Sequence, residues 1–426
     1  MLSNVYNYMH HMIESLPAVS THSHHLPDDF HKNLTLDRIF ESSYLVILAG
    51  LAEDEKRENR DYLNSKPRSI TFPGKNANRR GDFLSHVRYN SYFVWLEKAL
   101  QKIYGFEDNI SPENWDDISS RIKAWHVDEN AHLKILGEIA GYRRVIQDSY
   151  WDYASNLGHP ELFSTELRTD MFIHCFHPDM VDHDGNNPFR CYPQAATTSL
   201  DDYLDFLEHL FTKWRDSGAV TMKSASAYDR TLQYDEPDRD LAARVFLHPP
   251  GQVTPAEHKA YGDFMFHWFC RLCTRLNVPF QIHTGLAKLS GSRPLLLEPI
   301  INKYPEIKFI LLHAGYPWYA DSAGLAHNFC NVYLDLTWVP ITSTYGAVQA
   351  LSEFIEVAHS SNRIAWGDDA FTSEESYGAL LAWRHVVAKV LTERVEEGYF
   401  GIKEAETLAT RLMYKNAVET YGLTTL

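Results

Sequence analysis

Two stretches of the 426-residue chain, Pro279-Phe-Gln-Ile-His283 and Ile307-Lys-Phe-Ile-Leu-Leu-His313, decide how the rest is read. Each is a short, almost wholly apolar run that ends in a histidine, and residues 295–303 between them have helical period. A strand without polar alternation is one buried on both faces, as in a parallel sheet covered by helices. Working outward, the same unit recurs at Pro17-Ala-Val-Ser-Thr-His-Ser-His24, Tyr142-Arg-Arg-Val-Ile-Gln-Asp148, Asp170-Met-Phe-Ile-His-Cys-Phe-His177 and Ala219-Val-Thr-Met-Lys-Ser224. It returns at Asn331-Val-Tyr-Leu-Asp-Leu336 and Arg363-Ile-Ala-Trp-Gly-Asp-Asp369, which makes eight runs. Residues 200–214, 257–276 and 347–358 supply further helical segments. Eight such units predict an α/β fold, a TIM-type (β/α)8 barrel. The competing doubly wound sheet usually carries a Gly-rich phosphate turn after its first strand, and no G-x-G-x-x-G occurs.

The length alone suggests two or three domains at roughly 150 residues each, but barrels with insertions run from about 200 to over 400 as one unit. The expected organisation is therefore a single barrel domain, residues 1–426, with a mainly helical insertion after the first strand, about residues 26–141. Within it, residues 52–61 form a charge run that reads as a solvated helix face, and residues 65–81 are rich in Pro, Gly and Asn. Residues 83–104 and 119–139 are apolar-periodic. The excess of 56 acidic over 40 basic residues, a net charge of −16, argues against a nucleic-acid partner and for a small-molecule substrate. No run stays apolar for the ~18 residues a membrane span needs, and the start lacks a basic segment leading into an apolar one. Five scattered cysteines, an odd number, read as reduced thiols, so a soluble cytoplasmic protein is expected. Cys270 and Cys273 form a C-x-x-C, but inside an apolar helical run, where core packing outweighs redox or zinc chemistry. Nothing in the sequence sets the oligomeric state.

If the runs close into a barrel, their C-terminal ends share the rim where barrel enzymes place their chemistry. Those ends offer His22 and His24, Lys223, His283, His313 and the Asp368-Asp369 pair. Histidine is abundant, 22 in all. At that frequency about one H-x-H pair arises by chance, so His22-Ser-His24 gains weight only from its position. Residues i and i+2 of a strand face the same way, which lets His22 and His24 reach one ion. Three imidazoles and a carboxylate suit Zn²⁺ with a position left for water, and Fe²⁺, Co²⁺ or Mn²⁺ also fit. Lys223 has three readings: a carbamate bridging two metals, a cation gripping a substrate carboxylate, or a structural ion pair. Tyr228 and Arg230 follow it and either bind an anionic substrate or anchor the loop. His174 and His177 lie near the expected rim without i, i+2 spacing. His10, His11, His86, His126, His159 and His258 have no comparable placement and read as ordinary.

Taken together, the H-x-H at residues 22–24, Pro279-Phe-Gln-Ile-His-Thr-Gly285, Phe309-Ile-Leu-Leu-His-Ala-Gly-Tyr-Pro317 and Trp366-Gly-Asp-Asp-Ala-Phe371 resemble the amidohydrolase superfamily, in particular its amidohydrolase-related metal-dependent hydrolases. Met222-Lys-Ser-Ala-Ser-Ala-Tyr228 and residues 331–336 are similar to the branch related to the N-terminal part of fungal FluG-type and glutamine-synthetase-fused proteins. The long insertion is similar to that of uronate isomerases. The resemblance implies a barrel holding one or two divalent metals. By motif it makes His22, His24, His283 and Asp369 metal ligands, Asp369 also the general base, and His313 a second-metal ligand or a residue that positions water. Asp368 stands where the family has Ser or Thr, which leaves the choice between the two aspartates open; Ser20 stands where it often has Asp. The implied activity is hydrolysis of an amide, lactam or ester bond in a small substrate, carboxylated or not, with isomerisation or non-oxidative decarboxylation as the alternative.

Overall fold

A computed structural model describes residues 3–45 and 77–423. Among the described residues there are eight strands, joined through helices except between the second and third: β1 Ala18–Ser23, β2 Tyr142–Gln147, β3 Phe163–Arg168, β4 Ala219–Ser224, β5 Phe280–His283, β6 Phe309–Leu312, β7 Val332–Asp335 and β8 Ile364–Ala365. Neighbours pair in parallel and in chain order. The ring closes beyond β8, where Thr21 N donates to Trp366 O (3.1 Å), Asp369 N to His22 O (3.0 Å) and His24 N to Ala370 O (2.9 Å). This is the TIM (β/α)8 barrel that the apolar runs predict. Its strands are short and buried on both faces, so the helices outside and the side chains inside together form the core. No described helix is long and apolar enough to cross a membrane.

One strand lies elsewhere than the sequence suggests. Residues 170–177 read as the third strand, but Asp170–His174 is a short helix and β3 is Phe163-Ser-Thr-Glu-Leu-Arg168. Glu166 and Arg168 look like solvent residues in the sequence, yet both are buried. Arg168 is ion-paired to Asp148, Asp170 and Asp184, and this gives a charged strand its place inside the barrel. The apolar Met171-Phe-Ile run instead packs outward, with the Phe172 ring against Phe211 and Phe269.

Between β1 and β2 the described residues form helices at Asp28–His31, Leu36–Ser42, Ala77–Val87, Ser91–Tyr104, Trp115–Trp125 and Ala131–Lys134. The charge run at residues 52–61, and most of the Pro/Gly/Asn-rich segment, lie outside the described residues. Helix Ser91–Tyr104 lies against helix Ser373–Glu396, which follows β8; a Cβ on Gly378 would stand 3.0 Å from Trp95 O. Buried polar groups tie the same surfaces. Tyr104 donates to Glu374 (2.6 Å), His126 Nε2 lies 2.8 Å from the same oxygen, and Tyr92 donates to Glu375. Cys270 and Cys273 are buried in helix Pro255–Leu276, where burial pushes both thiols far up.

Two outcomes test this construction. Gly367 sits at the seam, and an added Cβ would meet Thr337 Oγ1 at 2.5 Å and His22 N at 2.7 Å. Gly367→Ala should lower the urea stability by about 1–3 kcal/mol; an unshifted midpoint would show that the seam is not tight. Burial alone would raise the Glu374 carboxyl, but His126, His31 and Tyr104 outweigh it and hold it down at about 2, against 4.5 in the unfolded chain. A depressed carboxyl adds stability that is complete above about pH 4.5 and is lost as the pH falls towards 2. Acid titration of the unfolding midpoint should therefore show a loss in that window which Glu374→Gln largely removes.

Candidate metal-binding active site

Backbone geometry at three strand ends delivers the site. His313, Trp338 and Asp369 follow β6, β7 and β8 with φ of 62°, 67° and 55°, a left-handed conformation rare outside glycine. At Asp369 the turn, held by the bond from its N–H to His22 O, sends the side chain into the barrel mouth. Its neighbour Asp368 is sent the other way, where Oδ1 accepts from Ser20 Oγ (3.0 Å) and the Asp368 N–H donates to the same hydroxyl (3.1 Å). The Asp-Asp pair is thus separated into one rim carboxylate and one buried support. Ser20 serves that support.

Four imidazoles each have one nitrogen pinned by an acceptor. His24 Nδ1 donates to Asp148 O (2.9 Å), His283 Nε2 to Leu286 O (2.9 Å) and His313 Nδ1 to Thr337 O (3.1 Å). At His22, Lys223 Nζ lies 3.1 Å from Nε2 and can only donate, so Nδ1 carries the proton and gives it to Glu166 Oε2 at 3.1 Å. The second nitrogens are then lone pairs. Two of them point at one carboxylate: Asp369 Oδ1 is 3.2 Å from His24 Nε2 and 3.7 Å from His22 Nε2. His313 Nε2 is buried without a hydrogen-bond partner among the described residues. Lone pairs facing an anion in a buried site repel unless positive charge stands among them, and Lys223 Nζ contacts only the His22 nitrogen. Spacings of 3.2–3.7 Å are those of ligands sharing one ion at about 2.0–2.2 Å, and the pinned far nitrogens are the usual support of histidine ligands. The donor set fits a divalent metal ion.

The protonation tendencies agree. Burial, followed by Lys223, His24 and His313, pushes His22 far below the ordinary imidazole range. Burial also pushes on His24, but Asp369 and Asp148 outweigh it and raise that ring, a proton meeting the demand for positive charge. Asp369 is driven up by burial yet held below its ordinary value by His24, His313 and Lys223. Burial takes His313 to about 4, which keeps it neutral near pH 7.

The C-terminal half, residues 217–423, matches the family model for amidohydrolases. The fluG protein of Emericella nidulans is 31% identical over 226 residues, 49% of this chain, although the chain spans only 26% of that protein's length. A uronate isomerase of Thermotoga maritima is 22% identical over 353 residues, 76% of this chain and 77% of its own. Its crystal structure superposes with a TM-score of 0.74 at 17% identity, covering 99% of this chain and 98% of that one. Together these similarities support an assignment to the amidohydrolase superfamily.

Within the barrel, most of the expected residues meet. Lys223 is buried beside His22, the His283 ring lies 4.1 Å from that of His313, and the Tyr228 ring lies 4.5 Å from His283, tilted by 58°. Arg230 is not brought in. A 3-10 turn at Ser226–Tyr228 turns it away, and its guanidinium is consumed by Asp263 (2.5 Å) and the carbonyls of Thr231, Gln233 and Lys259. Of its two readings, loop anchor is the one the contacts favour. His174 faces Ser226 (2.9 Å), and His177 accepts from Asp179 N, so neither joins the cluster.

Sequence reading passed over four contributors. Glu166 supports His22 and Asp148 supports His24; Arg168 neutralises Asp148 at 2.5 Å. Tyr44, from the insertion, donates to Asp369 Oδ1 at 3.2 Å and packs on Trp338 and Phe371. A register count from Arg168 back along a strand would have found Glu166; no sequence pattern marks Tyr44. If Glu166 orients His22 as a ligand, Glu166→Gln should weaken Zn²⁺ or Mn²⁺ binding about 10–100-fold with an unchanged circular dichroism spectrum. Equal affinity would leave Glu166 a packing residue only.

Proposed function

We propose that the protein is a metal-dependent hydrolase that opens an amide, lactam or ester bond of a small substrate. The observation that carries this reading is the convergence of the His22 and His24 lone pairs on Asp369 at the rim, with a second acid–base group, His313, beside them. His22, His24 and Asp369 are the proposed ligands, with His283 offering Nδ1, the nitrogen not committed to Leu286 O. A divalent ion held there supplies an acidified water and an electrophile for the scissile carbonyl. Zn²⁺ is the first expectation from two or three imidazoles and a carboxylate; Fe²⁺, Co²⁺ and Mn²⁺ suit the same donors.

The chain's own groups do the proton work. Asp369, kept ionised by its neighbours, takes the proton of the attacking water and returns it to the leaving group. His313, neutral with Nδ1 committed to Thr337 O, presents Nε2 as an acceptor that orients the attacking water. Tyr44 fixes the Asp369 carboxylate with one hydrogen bond, and Lys223, whose Nζ lies 3.1 Å from His22 Nε2, would yield that lone pair to a bound ion and turn to the substrate. Tyr228, its ring tilted against His283, forms part of the substrate wall. Small molecules are the partners this buried rim suits.

Similarity to a uronate isomerase along three quarters of the chain favours a second reading, proton transfer between adjacent carbons of a uronate, with Asp369 and His313 or Tyr44 as the two acid–base groups. A panel of N-acyl amino acids, lactams, lactones and uronates run in ¹⁸O-water separates the two. The hydrolase reading predicts one ¹⁸O in the product; aldose–ketose conversion without label would replace it by the isomerase. In either case Asp369→Asn should lower kcat at least 100-fold. Tyr44→Phe should lower it about tenfold, as for one hydrogen bond to a charged group, with KM little changed. Retained turnover in Asp369→Asn would remove the general-base assignment.

A further inference from the structure

A second convergence of donors lies outside the active-site cluster. Asp28, in the short helix Asp28–His31 just after β1, accepts from His132 Nε2 at 3.1 Å and from His159 Nε2 at 3.0 Å to each of its oxygens. His132 belongs to the helix Ala131–Lys134 before β2, and His159 to the connection between β2 and β3. Three segments far apart in sequence thus bring two imidazole nitrogens and a carboxylate together, all within 4.8 Å of one another. We propose that Asp28, His132 and His159 form a second, structural site for a divalent transition-metal ion of the zinc class, which clamps both ends of the inserted helices to the β2–β3 connection.

Both rings aim the same nitrogen at one carboxylate, and the 3.0–3.1 Å separations are close to the edges of a coordination shell with bonds of about 2.0–2.2 Å. Loading the ion moves each ring proton from Nε2 to Nδ1. His159 Nδ1 already stands 3.5 Å from Glu161 Oε1, the carboxylate–histidine–metal arrangement that orients a ligand. His132 is instead held by stacking on His31, with ring centroids 4.3 Å apart and planes 3° from parallel. Its Nδ1 has no partner among the described residues, which sets the affinity below that of a fully supported site. Access is graded: the His132 side chain is 4% exposed, His159 19% and Asp28 45%, so an ion enters from the Asp28 side and keeps water on that face. Imidazole donors select Zn²⁺, Co²⁺ or Ni²⁺ over Mg²⁺ and Ca²⁺, which require oxygen shells. His159, ordinary as a sequence feature, acquires this role only through the fold.

The test isolates the site in full-length protein carrying His22→Ala and His24→Ala. After chelation and dialysis against Zn²⁺, this protein should retain about one Zn²⁺ per chain by elemental analysis. Its Tm should rise by about 3 °C at a hundredfold excess of Zn²⁺ over Kd, and Mg²⁺ should not reproduce the rise. Adding Asp28→Asn or His159→Gln should abolish both retention and shift. Zn²⁺ binding that survives both substitutions, an equal shift with Mg²⁺, or no retained Zn²⁺ would overturn the proposal. Should that background fail to fold, His159→Gln alone should lower the Zn²⁺ count of otherwise native protein by one; an unchanged count would be equally fatal. Because these readouts are metal counts and melting shifts, they stand or fall apart from the active-site reading.

Discussion

The seam between β1 and the residues after β8 is the constraint on which the rest depends. A bond from Asp369 N–H to His22 O closes the barrel and, in the same turn, places the Asp369 carboxylate opposite His22 and His24. The turn requires a left-handed backbone at Asp369 and a glycine at 367, where any Cβ would strike His22. Closure and site assembly are therefore one event. A barrel that loosened here would lose its ligand geometry before it lost its core.

Around that seam the charges are arranged in shells. Innermost are imidazole lone pairs and one carboxylate; behind them stand Glu166, Asp148 and backbone carbonyls that fix each ring. Behind those, Arg168 balances Asp148, Asp170 and Asp184. Burial by itself drives Glu166 far above its ordinary range, and nearby Asp148 adds to this, while Lys223 and Arg168 oppose it. Removing one member of such a network leaves its partner buried and unpaired, which costs more than the pair contributes. The insertion reaches the innermost carboxylate directly through Tyr44, and it is tied to the helix after β8 by Tyr104 to Glu374 and Tyr92 to Glu375.

How legible this was in the sequence depended on whether a residue's environment is local. Apolar runs ending in His283 and His313, and the i, i+2 pair His22 and His24, report strands and a shared face directly, and they gave the barrel and most of the rim. The choice between Asp368 and Asp369 depends on a single left-handed turn, which composition does not encode. β3 was misplaced because Glu166 and Arg168 pass for surface residues until their partners on other strands are known. The nearness of Arg230 to Lys223 in sequence leaves a substrate contact and a loop anchor both open, and only its contact with Asp263 favours the anchor. Tyr44, Asp28 and His159 come together with their partners only through long-range packing, so no local pattern marks them.

The central claim is that the His22 and His24 lone pairs and Asp369 share one divalent ion at the barrel mouth. Anomalous diffraction from crystals of the native protein, collected on both sides of the metal's absorption edge, tests it most directly. A shared ion gives a strong peak within about 2.0–2.3 Å of His22 Nε2, His24 Nε2 and an Asp369 oxygen. A rim without a peak, with His24 Nε2 bonded straight to Asp369 and His22 Nε2 to Lys223, would contradict it.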